Sequence, residues 1–391
     1  MWHSNAPWVG TGYGSQSRLT VKHLRDAGHD PAISAFYGLD GAILNWEDTV
    51  VYPAGADAYG NDIVLDHARD HFGGDLRAGL LITLVDVWVL APDILKQAHT
   101  ACWTPVDHDP APPRVVDFFR KSGCWPIAMS RFGERALAAH DLAPLYVPHA
   151  VDTELFQPVD RAEARDTVGL PEDAFVVGMV AANKGFPPRK GFPEAIAAFA
   201  RLLATHDDAF LYLHTEPHGV ANGVNIPQIL AHYKVPTGRV RFVDPYRNRV
   251  GIPVKTMPHV FSAIDVLLNP SYGEGFGIPL LEAQACGTPV IATDCTAMSE
   301  LASAGWLVGG QEQWSEQNTV RVVPSVERLV WALGEAHTRA HRLAGPAREF
   351  ALGYDIRRVM EEHWLPVLAE LERRMAPIEI DAVPAEEAVA A

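Results

Sequence analysis

The sequence predicts an α/β protein with two domains, each built around a parallel sheet. Its 391 residues exceed what one domain usually needs and suit two. Short apolar runs that resemble strands alternate with amphipathic helical patterns along the chain, which is typical of parallel sheets. The alternation falls into two sets of similar size that meet near residues 152–160. We therefore expect two α/β units joined by a short linker.

The first unit is expected to cover residues 1–158. Gly28 is expected to end its first helix in the left-handed conformation, and residues 38–60 to form a loop with one short strand. A first strand at residues 1–5 is short for the centre of a sheet, so either the native start lies slightly upstream or this strand is short. The other predicted elements are strands at residues 31–36, 80–85, 101–106, 125–130 and 145–148 and helices at residues 15–27 and 131–140.

The second unit is expected to cover residues 159–353. After it, residues 354–375 have the apolar spacing of a long amphipathic helix, which Pro366 should kink. Residues 376–391 are small and polar and are predicted to form a flexible tail. Within the second unit, strands are predicted at residues 175–181, 210–214, 240–243, 266–269 and 289–293, and helices at residues 192–203, 226–232 and 279–286.

Composition narrows the class of function. The formal net charge of −16 argues against a protein that binds the nucleic-acid backbone. No apolar run approaches the roughly 20 residues of a membrane helix, and no signal segment precedes the first strand, so we expect no transmembrane segment and a cytoplasmic location. The cysteines lack the paired spacing of a zinc site or a disulfide framework and are expected to be buried free thiols: Cys102, Cys124, Cys286 and Cys295.

The segment SYGEGFGIPLLEAQACGTPV, residues 271–290, places two acids around a glycine-rich turn. Pro279 suits the first turn of a helix, so Glu274 should lie in the loop before that helix and Glu282 near its start. Ligands of open α/β sheets bind beside such turns, at the carboxyl ends of strands. Backbone amides there favour anions, and carboxylates accept hydrogen bonds from hydroxyls, so a nucleotide sugar would fit. Alternatively, Glu282 only complements the helix dipole and Glu274 is a solvated loop acid.

Resemblance to a known family favours the nucleotide sugar. PSYGEGFGIPLLEAQACGTPVIATDCTAMSEL resembles the E-x7-E signature of the retaining glycosyltransferases of family 4, in the GT-B class. Three further segments resemble that family in the family's order: GTGYGSQSRLTVKHLRDAGHD, VPHAVDTELFQP and RKGFPEAIAAF. The resemblance implies two facing Rossmann-like domains and a C-terminal helix that crosses back to the first domain.

The resemblance also implies a donor site. Glu274 would contact a hydroxyl of the donor sugar, and Glu282 would bind the ribose hydroxyls. The amides of Gly275, Phe276 and Gly277 would face the sugar or the diphosphate.

The basic residues of the donor site follow from the same resemblance. Lys190, with Arg189, would bind the diphosphate and stabilise the leaving group, because fixed cations lower the barrier to releasing negative charge. The family usually has an arginine where this chain has Met179. Lys184 is the candidate to replace that contact, ranked below Lys190.

The first unit would supply the opposite wall of the site. Gly12 and Gly14 do not match the dinucleotide-binding glycine pattern and are expected in a loop that meets the diphosphate, or in a plain tight turn. His108 is expected to face the donor sugar and, with Lys190 and Glu274, forms the predicted catalytic set. Asp86 and Asp107 are lesser candidates on the same rim. Asp107 and Asp109 spell a DxD triplet, yet we expect no metal.

These features predict a transferase that moves a sugar from a nucleotide diphospho-sugar to an acceptor with retention at the anomeric carbon. A UDP- or GDP-sugar is the expected co-substrate, without a cofactor, and the acceptor can be a glycan, a protein, a lipid or a small metabolite. A sugar-nucleotide epimerase on the same scaffold and a non-catalytic nucleotide-sugar-binding protein remain alternatives. A phosphorylase would need a cofactor lysine, for which no motif is present.

Overall fold

The computed structural model of the protein describes residues 1–375, which form two α/β domains with separate sheets. The first sheet has the order β3-β4-β2-β1-β5-β6-β7-β8, and all its pairings are parallel except that of β3 with β4. Its strands are β1 Trp2–Asn5, β2 Ile33–Tyr37, β3 Leu44–Trp46, β4 Thr49–Tyr52, β5 Leu80–Leu84, β6 His99–Thr104, β7 Trp125–Ala128 and β8 Leu145–Tyr146. Its helices are α1 Gly12–Asp26, α2 Val64–His71, α3 Pro92–Leu95, α4 Pro113–Ser122 and α5 Arg131–Ala138.

The second sheet has the order β11-β10-β9-β12-β13-β14 and is parallel throughout, which is the strand order of a doubly wound Rossmann-like domain. Its strands are β9 Phe175–Val180, β10 Ala209–His214, β11 Val240–Phe242, β12 Val266–Asn269, β13 Val290–Thr293 and β14 Gly305–Val308. A separate hairpin pairs β15 Gly310–Trp314 with β16 Val320–Pro324. The helices are α6 Arg161–Val168, α7 Phe192–Leu203, α8 Ile226–His232, α9 Pro245–Val250, α10 Met257–Ala263, α11 Ile278–Ala285, α12 Met298–Leu301, α13 Val326–Arg339 and α14 Ala344–Leu352.

The two parallel sheets confirm the predicted fold class. The predicted domain bounds, residues 1–158 and 159–353, stay predictions, while the two sheets lie within residues 2–146 and 175–308. The prediction of a loop with one strand over residues 38–60 was wrong, because β3 and β4 form an antiparallel hairpin there. Gly28 has the left-handed conformation expected after α1, with a φ of +95°.

The C-terminal helix crosses back to the first domain, as expected. It consists of α15 Ile356–Val359, a π-helical turn at Met360–Trp364, and α16 Leu365–Met375. The wide turn ends two residues before Pro366, which cannot donate to an α-helical hydrogen bond, and this accounts for the predicted break. The Trp364 ring packs 5.7 Å from Trp2 and 4.9 Å from Trp103 between ring centroids, inside the first domain. The predicted tail at residues 376–391 lies outside the described residues.

A buried arginine holds α6 against the second sheet. Arg165 is almost fully buried, and its guanidinium donates to the Asp265 carboxylate at 2.8 Å and to the carbonyl oxygens of Ala263, Pro171 and Glu172. Asp265 precedes β12, and its carboxylate also accepts from the amide of Val176 in β9. The same carboxylate pairs with Arg161, whose side chain is 55% exposed.

The two arginines on Asp265 therefore form a matched pair for mutation. We expect Arg165→Met to lower the free energy of unfolding by about 3–5 kcal/mol, because it leaves a buried carboxylate without its main partner. Arg161→Met is expected to cost about 1 kcal/mol or less, since an exposed ion pair is screened by water. Urea unfolding of both variants measures the difference. Equal, small losses would contradict a structural role for the buried pair.

Candidate functional site

The candidate site lies where the two domains meet. Each sheet reverses its strand order once, between β1 and β5 in the first domain and between β9 and β12 in the second. Ligands of open α/β sheets bind beyond the carboxyl ends of the strands at such points. The loop after β12 lies directly against the loop after β6: a Cβ added at Gly275 would be 2.2 Å from the Cβ of Pro105, and one at Gly273 would be 2.0 Å from the Asp107 carbonyl oxygen. These two glycines permit the close approach of the domains.

A compact ion cluster occupies the second-domain side of this cleft. Glu274 forms an ion pair with Lys190, and its second oxygen is 3.6 Å from Nη1 of Arg189. Nη1 of Arg189 also donates to the Gly273 carbonyl oxygen at 3.2 Å. Side-chain exposure is 12% for Glu274, 17% for Lys190 and 41% for Arg189. Thus three of the predicted donor-site residues lie together, with the two cations on one carboxylate.

The cluster shifts the pKa values of its members. Burial raises the pKa of the Glu274 carboxyl, but the charges of Lys190 and Arg189 outweigh this and hold it below its ordinary value. Burial lowers the pKa of the Lys190 ammonium, the charge of Arg189 lowers it further, and Glu274 only partly offsets both. The site is therefore a poorly solvated ion pair with one additional cation.

Backbone amides without a protein acceptor in the described chain directly follow Glu274, at the start of α11. Within residues 1–375, no protein group accepts a hydrogen bond from the amides of Gly275, Phe276 or Gly277. The Phe276 side chain is buried, with its ring 5.1 Å from the His149 ring, so this residue can offer a ligand only its backbone. Three free N–H groups at a helix N-terminus form an anion-binding feature beside the ion cluster.

Glu282, the second glutamate of the predicted site, lies one turn into α11. In the described part of the chain, the Glu282 carboxyl has neither a hydrogen bond nor an ion pair with a protein group. Burial raises its pKa to about 8, opposed by the charge of Arg18 in α1 of the other domain. A Cβ added at Gly12 would lie 3.3 Å from Cδ1 of Ile278, so the starts of α1 and α11 are close neighbours. Arg18 was missed in the sequence, although it lies on the helix that follows the glycine pattern.

The raised pKa of Glu282 predicts a pH dependence of stability. The folded protein binds this proton up to about pH 8, whereas the unfolded chain releases it near pH 4.5. The stabilisation that the proton contributes is therefore fully present below about pH 4.5 and is lost as the pH rises through about 8. We expect Glu282→Gln to flatten the pH dependence of the unfolding free energy in this window, measured by urea unfolding at a series of pH values. An unchanged slope would contradict the raised pKa.

The first domain contributes a polar rim opposite the ion cluster. His108 is buried, and its Nδ1 is 2.7 Å from Oδ1 of Asp107, which leaves Nε2 as the nitrogen that can meet a ligand. The Tyr13 hydroxyl donates to the Asp86 carboxylate at 3.1 Å. Burial, followed by the charge of Asp107, raises the pKa of Asp86, although Arg189 opposes this from the other domain. The positive charge of Arg189 thus acts to lower the pKa of both Asp86 and Asp107, the two lesser candidates from the sequence.

The expected glycine loop needs correction, whereas its contact with a donor and the role of Lys184 stay predictions. Gly12 and Gly14 do not form a loop, because both lie in the first turn of α1, where the side chain of Thr11 accepts the Gly14 amide at 3.0 Å. Their predicted contact with a donor stays a prediction. Met179 is buried within β9, and Lys184 is exposed and not part of the Glu274 cluster.

Residues 1–375 contain neither a metal-ligand cluster nor a helix suited to cross a membrane. Over residues 1–375, His, Cys, Asp and Glu side chains form no group of three or more that could hold a metal ion, and the expected absence of a metal stays a prediction. Asp109, the second acid of the DxD triplet, is exposed, and its amide pairs with the carbonyl oxygen of Val320 at 3.3 Å. None of the helices in this part of the chain is both long and apolar enough to cross a membrane.

Comparison with known proteins finds sequence similarity over part of the chain. Residues 174–329 match the family model described as "Glycosyl transferases group 1". D-inositol 3-phosphate glycosyltransferase of Stackebrandtia nassauensis is 33% identical over 178 residues, which are 44% of this chain and 39% of that protein. The enzyme of the same name from Geodermatophilus obscurus is 33% identical over 207 residues, 50% of this chain and 43% of that protein. The chain thus spans about two fifths of the length of these relatives.

Solved structures resemble the chain over nearly its full length. A glycosyltransferase from Rickettsia africae superposes with a TM-score of 0.70 at 15% identity and covers 95% of this chain and 98% of its own. Anabaena HepE in complex with UDP-glucose has a TM-score of 0.67 at 17% identity and covers 94% of this chain and 99% of its own. Together with the two parallel sheets and the crossing helix, these neighbours show that the protein has the GT-B fold.

Proposed function

We propose that the protein is a glycosyltransferase that moves a sugar from a nucleotide diphospho-sugar to an acceptor, with retention of anomeric configuration. The observation that carries the proposal is the Glu274 cluster with Lys190 and Arg189, next to three amides at the start of α11 that donate to no protein group within residues 1–375. The match of residues 174–329 to a glycosyltransferase family model supports it.

The ion cluster suits a diphosphate and a sugar bound together. A diphosphate brings more negative charge than one carboxylate, so it can draw Lys190 and Arg189 away from Glu274. Glu274 is then free to accept hydrogen bonds from the sugar hydroxyls. The two cations and the amides of residues 275–277 lie where charge develops as the sugar–phosphate bond breaks, and there they stabilise the leaving group.

Glu282 suits the ribose of the same donor. Its carboxyl lies on α11, beyond the amides, and makes no protein hydrogen bond in the described residues. Two ribose hydroxyls can donate hydrogen bonds to the ionised Glu282 carboxylate. These bonds offset the cost of burying its charge, which raises the pKa of Glu282 to about 8 in the protein alone. Nucleotide binding by this route lowers the pKa of Glu282 and releases a proton near neutral pH.

The first domain completes the reaction site. The ring of His108, oriented by Asp107, can hydrogen-bond a hydroxyl of the donor sugar and help to orient the acceptor. In the mechanism proposed for retention, the departing diphosphate deprotonates the acceptor on the face where it leaves. The contact of the loops at residues 105–107 and 273–275 keeps water from this space, which limits hydrolysis of the donor.

The donor is proposed to be a UDP- or GDP-sugar, bound without a metal or a cofactor. HepE, which shares the fold, was solved with UDP-glucose. Two alternatives make different predictions. An epimerase would convert the donor without an acceptor, and a binding protein would hold the nucleotide tightly without any turnover.

Thermal melting against nucleotides tests the donor site. We expect one of UDP, GDP, ADP and TDP, and its sugar conjugates, to raise the melting temperature of the protein, with no effect of EDTA, because binding stabilises only the folded state. Glu282→Ala should reduce that rise, since the ribose hydroxyls lose their acceptor. Glu372→Ala, which removes an exposed acid from α16, is the control. No rise with any nucleotide in the wild-type protein would contradict the proposal.

Lysine replacement tests the leaving-group role. We expect Lys190→Ala to lower the turnover of the donor by a factor of about 10²–10³, the usual loss when one preorganised charge-stabilising group is removed. Lys121→Ala, which removes an exposed lysine from the last turn of α4, should leave turnover nearly unchanged. Release of the nucleoside diphosphate reports the rate, and proton NMR of the product gives the anomeric configuration. Equal effects of the two replacements would remove Lys190 from this role.

A further inference from the structure

The hairpin β15–β16 is the feature of the second domain that the proposed function does not use. Strand β15 is exposed along its whole length, and Trp314 at its end is 68% exposed. The inner strand β16 is more buried, and Thr319 and Arg321 beside the turn are buried. The hairpin is therefore covered on one side only, and the contacts on that side hold its position.

The tip of the hairpin contacts the first domain. The hydroxyl of Thr319 donates to the Pro110 carbonyl oxygen at 2.6 Å, and the amide of Asp109 donates to the Val320 carbonyl oxygen at 3.3 Å. Asp109 directly follows His108. The tip thus fixes the backbone of the loop that carries His108.

Strand β16 also contacts the loop after β12, residues 270–277, which we call the donor loop. The amide of Val322 donates to the Tyr272 carbonyl oxygen at 3.0 Å, and the Arg321 guanidinium stands 5.4 Å from the Tyr272 ring centroid. Nε and Nη2 of Arg321 are held by the Gln313 side chain across the hairpin. The amide of Tyr272 donates in turn to the carbonyl oxygen of Arg189 at 2.8 Å.

We propose that β16 is a positioning element that couples donor binding to the placement of His108, with Thr319 as its contact residue. One strand is bonded at its start to the His108 loop and two residues later to the loop that carries Glu274. A rearrangement of Arg189 and Glu274 around a diphosphate therefore reaches the first domain through Tyr272 and β16. The coupling rests on the proposed donor site and extends it to the acceptor side.

The coupling relies on a short connection between the two loops that is made of backbone hydrogen bonds. From Asp109 to Arg189 there are three backbone hydrogen bonds and no flexible side chain, so a shift at one end is transmitted rather than absorbed. The hydroxyl of Thr319 adds the one side-chain bond to the first domain in this connection. Its removal leaves the Pro110 carbonyl oxygen without that donor, and the domain contact weakens while the donor loop keeps its own bonds.

Hydrogen–deuterium exchange of the full chain, with and without UDP-glucose and GDP-glucose, tests the coupling. In the wild-type protein, we expect the donor that binds to slow exchange in residues 105–113 and in residues 270–277. In Thr319→Val, which has nearly the same shape, the donor should still protect residues 270–277. Its protection of residues 105–113 should fall by roughly tenfold, the effect expected from losing one buried hydrogen bond.

Two further variants make the result specific. Thr319→Ser keeps the hydroxyl and should restore the protection of residues 105–113. Thr205→Val removes a hydroxyl that donates to Leu202 within the second domain, and it should behave as the wild type. Full protection of residues 105–113 in Thr319→Val would overturn the coupling while the donor site stands. No protection of residues 270–277 in the wild-type protein with either donor would overturn the donor site and the coupling together.

Discussion

The site depends on charge compensation in a cleft that two domains close. The Lys190 side chain is only 17% exposed where the domains meet, and a buried cation without a partner would be costly. Glu274 supplies the compensating charge from the next loop of the same domain. The cluster is therefore held together by ion pairs that an anionic ligand can replace. This arrangement keeps the cations in place and leaves them available.

Steric constraints at the domain contact explain why the loop between β12 and α11 is rich in glycine. Parallel strands bring their carboxyl ends to one edge, and two such edges face each other here. Side chains at Gly273 or Gly275 would occupy the space of Asp107 and Pro105. These glycines serve the approach of the other domain, whereas the sequence argument assigned Gly275 only to the exposure of amides. Gly277, with a φ of +109°, meets a separate need, because it turns the chain into α11.

Much of the fold was predictable because its signals are local. Helices α7 and α8 and strand β12 begin and end at the predicted residues, where proline, asparagine and apolar runs mark the boundaries. The hairpin β15–β16 was not predicted, since its first strand is fully exposed and polar and lacks the alternation of a half-buried strand. The start of α1 at Gly12 was missed because Thr11, four residues before the predicted helix, caps it. The pairing of Glu274 with Lys190 joins residues 84 positions apart and depends on the tertiary fold.

The position of Trp364 has a consequence for synthesis of the chain. Trp2 and Trp103 complete their packing in the first domain only against a residue near the end of the described chain. A ribosome makes the first domain long before it makes Trp364, so the newly made domain exposes an apolar surface while the second domain is still being translated. The second domain has its own sheet and core and can fold during this interval. The core of the first domain is therefore completed only after the second domain has been made.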